Sequence, residues 1–133
     1  MSKTLAIIGS SSLVDYNLLT YIFDNIKLVD HEAIYITSDN NGVEKLAHLY
    51  LSLRGSQCIE VSADYKPNIY IEMARCADTV LYLKYSNDTC DLQPFVDRKI
   101  PIHELKIENF SKWYALTYNG KVEFVSKYIY NFL

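Results

Sequence analysis

The chain has 133 residues, a formal net charge of −3 at pH 7, 50% hydrophobic and 14% aromatic residues, twelve tyrosines and four glycines, which is the arithmetic of one globular domain. A chain of this length buries about two thirds of its unfolded surface, so its core needs neither disulfides nor a structural metal. Low net charge without a basic cluster argues against a general nucleic-acid binder, which draws its affinity from many Lys/Arg–phosphate contacts.

No run reaches the ~18 apolar residues of a membrane span, and the apolar stretch near Met1 is too short for a secretory signal. A cytoplasmic protein without membrane contact is the expectation. Cys58, Cys76 and Cys90 are odd in number and lack CxxC spacing, which reads as three reduced thiols rather than a disulfide framework or a zinc site. His31, His48 and His103 fall on different elements without HxH or HExxH spacing, so neither a metal nor a cofactor is expected.

In chain order, residues 5–8 form a short apolar run ending at Gly9, and residues 33–36 form another, both suited to strands buried on two faces. Between them Leu18, Leu19, Ile22, Phe23 and Ile26 recur at helical spacing behind a candidate N-cap at Asp15. A second helix spans residues 42–54, with Gly55 as its stop, and residues 57–61 read as a third strand. Pro67 opens a third helix running to Ala77, residues 79–84 make the fourth strand, Pro94 sits in the first turn of a short helix, and residues 100–105 make the fifth strand.

Strands alternating with helices predict a doubly wound, mostly parallel, five-stranded Rossmann-like α/β sheet in one domain spanning 1–133, with a core at 3–105. The extension at 106–133 is aromatic. Its residues 113–118 suit a strand and residues 121–133 a terminal helix, while Asn119-Gly120 between them also supports a hairpin. Strand then helix is the preferred reading. The aromatic load of this segment, Trp113 and Tyr128 included, suits either packing on the sheet or a homo-oligomer interface.

Open α/β sheets bind ligands beyond the carboxyl ends of their strands. The loops gathered there carry Gly9, Ser10 and Ser11; Ser38, Asn40, Asn41, Gly42 and Glu44; Asp64 and Tyr65; and Asp88 and Thr89. All are short and rich in hydroxyls and amides, which suits hydrogen bonding to a sugar or phosphate at helix N-termini. The same residues also suit helix capping, and Asn41 with Glu44 resembles a variant capping box.

The succession IIGSSSL, ITSDNNGVEKLAHLY, IEMARCADTVLYL and SNDTCDL resembles small stand-alone members of the SLOG superfamily, Rossmann-like proteins that bind nucleotides and nucleotide-derived ligands. The resemblance covers about residues 4 to 105 and is carried most specifically by Gly42-Val43-Glu44-Lys45-Leu46-Ala47 and by Met73 with Ala77-Asp78-Thr79-Val80. It implies a nucleotide-derived ligand, self-association, and a setting in bacterial or phage nucleotide signalling and defence.

The departures from the family pattern are specific. Its first-loop Arg is Ser11, its glycine pair is Asp39-Asn40, its loop Asp is Glu44, its Arg-Asn pair falls on Ile69-Tyr70, and its Gly-Thr pair falls on Asp88-Thr89. Glycine admits close backbone N–H approach and arginine supplies a bidentate fork, so each change removes a phosphate contact. A carboxylate near 4 Å from an anion costs about 4 kcal/mol at an effective dielectric of 20. Two readings follow: a site rebuilt for a nucleoside- or sugar-like ligand, held without turnover by a sensor or sequestering protein, or a ligand-free interaction module.

An enzyme of the same resemblance would cleave or transfer at an N-glycosidic bond, which wants a carboxylate beside the anomeric carbon. Glu72, Asp64 and Asp88 are the candidates, with Glu72 first, although its place on a helix surface suits solvation better. Cys90 is the one thiol on the ligand edge, while Cys58 and Cys76 read as core residues.

Overall fold

The computed structural model describes residues 3–25, 33–62, 69–85, 87 and 90–127. The elements run β1 (Thr4–Gly9), α1 (Tyr16–Asn25), β2 (Ile34–Ser38), α2 (Val43–Leu53), β3 (Cys58–Val61), α3 (Ile69–Cys76), β4 (Thr79–Tyr85), α4 (Gln93–Asp97), β5 (Ile102–Asn109), β6 (Trp113–Tyr118) and β7 (Lys121–Ser126). They build a mixed α/β structure around one seven-stranded sheet of order β3-β2-β1-β4-β5-β6-β7. The first five strands are parallel, and β6 and β7 join antiparallel.

Helices lie on both faces. Leu5 and Ile7 of β1 point to the face covered by α1 and α2, where Leu18, Leu19, Val43 and Leu51 pack. Ala6 and Ile8 point to the opposite face, under Met73 of α3 and Phe95 of α4. Strands buried on two sides need continuous apolar runs, which is why the sequence shows no alternation there. Asp15 caps α1 as expected, its Oδ1 accepting from the Leu18 amide at 3.2 Å. Gly55 ends α2 in a Schellman arrangement, with Ser56 N–H to Leu51 O and Gly55 N–H to Ser52 O and φ at +71°.

The expected five strands are seven, and the expected terminal helix is a hairpin. Asn119 and Gly120 adopt φ of 52° and 77°, the doubly left-handed pair of a turn whose twist matches the strands it joins. Residues 121–126 then follow a period of two: Val125 buries beside Tyr114 and Leu116, while Val122 and Phe124 face outward. Tyr128, on which the helical reading also rested, lies outside the described residues, as do Asp64, Tyr65, Pro67, Asp88 and Thr89. The extension therefore continues the sheet, and β5 itself runs to Asn109, burying Leu105 and Ile107. Cys76, expected in the core, is exposed at the end of α3, and Cys58 is half-buried.

Tyrosine hydroxyls tie elements together by donating to carboxylates. Tyr114 donates to Asp15 at 2.9 Å, Tyr21 to Glu123 and Tyr50 to Asp24. The bond to Glu123, with burial, raises the Tyr21 hydroxyl to about 12. Arg54 stacks 3.6 Å from the Tyr50 ring centre while reaching Asp24 at 3.3 Å. Among the described residues, no helix is long and apolar enough to cross a membrane.

Candidate functional site

Strand β1 sits between β2 and β4, and chain direction across the sheet reverses there: β2 and β3 extend to one side, β4 and β5 to the other. Loops leaving β1 and β4 must diverge at such a point, which opens a crevice at their carboxyl ends. A cavity of about 730 Å3 lies at this place, a size that suits a small organic ligand. The β1 loop lines it with Gly9, Ser10 and Ser11; the β2 loop and the start of α2 with Asn40, Asn41 and Glu44; α3 with Tyr70; and the β4 loop with Asn87, Cys90 and Asp91.

Two glycines set the walls. A Cβ on Gly9 would stand 2.5 Å from Leu83 O and 2.7 Å from Val43 Cγ2, so β1, β4 and α2 close together only around a bare Cα. A Cβ on Gly42 would stand 2.2 Å from Ser10 O, and its φ is +89°. Gly42 is the N-cap of α2, with no side-chain cap bond, so the capping-box reading of Asn41 and Glu44 does not describe this helix. The Val43 amide instead donates to Ser10 O at 3.1 Å, tying the first loop to the helix. Ser10 is buried; its Oγ lies 2.7 Å from Ser12 Oγ and accepts from the Ser12 amide.

Glu44 forms the cavity floor. Its side chain is 1% exposed, and its carboxylate collects four donors: Ser38 Oγ at 3.0 Å and Asn40 Nδ2 at 3.4 Å on Oε1, the Gly9 amide and Tyr70 Oη at 3.4 Å each on Oε2. Burial raises the carboxyl above its ordinary value and outweighs these bonds, each of which lowers it. Burial first, then the Glu44 charge, also pushes the Tyr70 hydroxyl up. The Gly9 amide, a group that would greet a phosphate in such a crevice, thus already faces a carboxylate of the protein itself, and the Val43 and Lys45 amides of the first turn of α2 are taken by Ser10 O and Asn40 O.

The predicted residues divide accordingly. Gly9, Ser10, Ser11, Asn40, Asn41 and Glu44 meet at the cavity, and Ser38 and Gly42 stand behind it through the contacts above. Asp64, Tyr65, Asp88 and Thr89 lie outside the described residues. Glu72 is not in the lining; its carboxylate pairs with Arg75 at 2.7 Å on the same helix. Asn87 and Cys90 of the β4 loop line it as the strand order implies, while Tyr70 and Asp91 were not among the expected contacts. Tyr70 had a signal, since it occupies the first turn of the helix that leaves the same sheet edge.

Among the described residues of the lining there is no Lys, Arg or His, while two are carboxylates. Such a wall accepts hydrogen bonds from hydroxyl, amide or amine donors and repels anions. Among the described residues no three His, Cys, Asp or Glu side chains converge as a metal site does. The chain matches no protein-family model, no curated protein and no solved structure.

Proposed function

We propose that this protein is a Rossmann-like, SLOG-related cytoplasmic protein that binds an uncharged nucleoside-like molecule in the crevice between the β1 and β4 loops and does not turn it over. The observation that carries this reading is the lining chemistry: Asp91 with Asn40, Asn41, Ser11 and Tyr70 above the Glu44 floor, and no cation among the described lining residues. The Asp91 carboxylate and the asparagine amides accept from ribose hydroxyls, asparagines pair with a base edge, and an aromatic ring beside them offers a stacking surface worth about 1–3 kcal/mol. The strand order, reversing at β1 and β4, supports the placement. Retention without chemistry accords with Glu72 being engaged by Arg75 rather than aimed into the crevice.

Thermal unfolding against paired nucleosides and their 5′-monophosphates tests this. The expected result is stabilisation by at least one nucleoside and less by its phosphate; a nucleoside at a hundred times its dissociation constant adds about 2.7 kcal/mol. No shift with any nucleoside, or larger shifts with phosphates throughout, overturns the reading. Free base appearing on chromatography of the incubated ligand replaces binding by N-glycoside cleavage.

Self-association through the C-terminal segment is the second part of the proposal. Trp113, Val122 and Phe124 are 50%, 56% and 67% exposed on the β6–β7 hairpin, an apolar patch of the kind that a second copy covers.

A further inference from the structure

A second polar cluster sits away from the crevice, at the side of the sheet where β3 is the last strand. The register pairs Tyr35 with Cys58 and Thr37 with Glu60, so Thr37, Cys58 and Glu60 project to the face covered by α2. His48 descends onto them from that helix. Its Nδ1 lies 3.3 Å from Cys58 Sγ and 3.3 Å from Thr37 Oγ1, and its Nε2 lies 3.7 Å from Glu60 Oε2. Thr37 Oγ1 is 3.5 Å from the same sulfur.

We propose that Cys58 is a nucleophilic thiol with His48 as its base and Glu60 as the positioning residue, and that it is a modification site for small hydroperoxides. A nucleophile, an imidazole within reach of it and a third group on the far ring nitrogen is the arrangement that activates a weak nucleophile. Glu60 favours the tautomer with hydrogen on Nε2, which leaves the Nδ1 lone pair facing the thiol. Burial, chiefly, and the Glu60 charge raise the Cys58 thiol, against the lowering bond from Thr37. The resting group is therefore a thiol that needs a proton acceptor at the moment of attack, which His48 provides.

In the reaction, His48 takes the thiol proton as sulfur attacks the distal oxygen of the peroxide. An S–O bond forms, the O–O bond breaks, and the departing alkoxide or hydroxide receives the proton from His48. Cys58 is oxidised to the sulfenic acid and the peroxide is reduced to an alcohol or water. A hydroperoxide is small enough for a half-buried sulfur at a sheet edge, where a bulky electrophile is not. The sulfenic acid would sit on β3, whose pairing with β2 brings the modification to the strand that ends at Ser38, a donor to Glu44.

The test uses Cys76, exposed on α3, as a comparison within the same molecule. The intact protein is treated with hydrogen peroxide at neutral pH, sulfenic acids are trapped with dimedone, and each cysteine is followed by peptide mass spectrometry. Cys58 is expected to label about tenfold faster than Cys76, a ratio that collapses toward unity in denaturant. His48→Asn is expected to slow Cys58 about tenfold with Cys76 unchanged, Glu60→Ala to slow it a few-fold, and Glu60→Gln, whose amide oxygen keeps a partial negative charge beside Nε2, to recover part of the rate. Cys58 labelling no faster than Cys76 in the unmodified protein overturns the proposal without reference to any variant's folding. Equal rates in Glu60→Ala and the unmodified protein overturn the positioning role.

Discussion

The carboxyl edge of the parallel strands and the β6–β7 hairpin both turn the chain through a glycine of positive φ, yet the two glycines stand in opposite surroundings. Gly42 is pressed against the backbone of Ser10 and Ser11, whereas a Cβ on Gly120 would meet nothing within 4 Å. At the first, three elements share one point and the backbone must bend where it is packed. At the second, only local twist is being satisfied. The same contrast holds for their side chains. The crevice inverts the usual order by burying a carboxylate on four donors, and the hairpin inverts it by exposing Trp113, Val122 and Phe124. Departures from the inside-outside rule mark the places where a sequence serves something besides its own core.

The widest separation between the two regions should come from Gly42→Ala set beside Gly120→Ala. The first combines a 2.2 Å backbone clash with left-handed strain and is expected to cost about 3 kcal/mol or more in urea unfolding. The second carries the strain alone, about 1–2 kcal/mol. Equal losses would mean that the β1 loop moves freely away from α2.

Glu44→Gln comes next, at about 1–3 kcal/mol, because an amide NH2 must face donors that the carboxylate now satisfies. Its pH dependence has a definite sign. Glu44 is raised in the folded state, so its contribution is complete below the unfolded value, about pH 4.3, and is lost as pH rises through the folded value. The gap between protein and variant should therefore be widest near pH 4 and narrow upward; a gap that widens with pH would mean the carboxylate is better solvated than its burial implies. The smallest effect on stability belongs to Phe124→Ser, within about 0.5 kcal/mol. Its effect should appear in sedimentation mass instead, and a mass unchanged from an oligomeric parent removes the hairpin as the interface.

Much of the parallel half was legible because strands buried on both faces write unbroken apolar runs and their helices write a period near 3.6. Asp15 and Gly55 punctuate it where their chemistry demands. The hairpin was less legible for a physical reason: in 121–126 the alternation is short, and Tyr128 and Ile129 beyond it also fit helical spacing. Asn119-Gly120 held the correct signal. At the crevice, loop membership followed from strand order, so Ser10, Asn40 and Glu44 could be named. The role of Glu44 could not be named, since the same residue three places after Asn41 suits a capping box. Only the approach of Gly9, Ser38 and Tyr70 from three other elements turns its carboxylate inward. The Cys58–His48–Glu60 cluster depends on the β2–β3 register and left no spacing to read.

The seam between β1 and β4 also sets the order in which the molecule can be assembled. Leu5 pairs with Thr79, 74 positions on, whereas β6 meets β7 across two residues, Tyr118 opposite Lys121. Closing the longer loop costs about 3 kcal/mol more chain entropy, and a growing chain cannot close it until β4 has been made. The crevice is thus a late product of synthesis and collapse, and a chain truncated before residue 79 would retain the first loop, the second loop and Glu44 without the strand against which they form a wall.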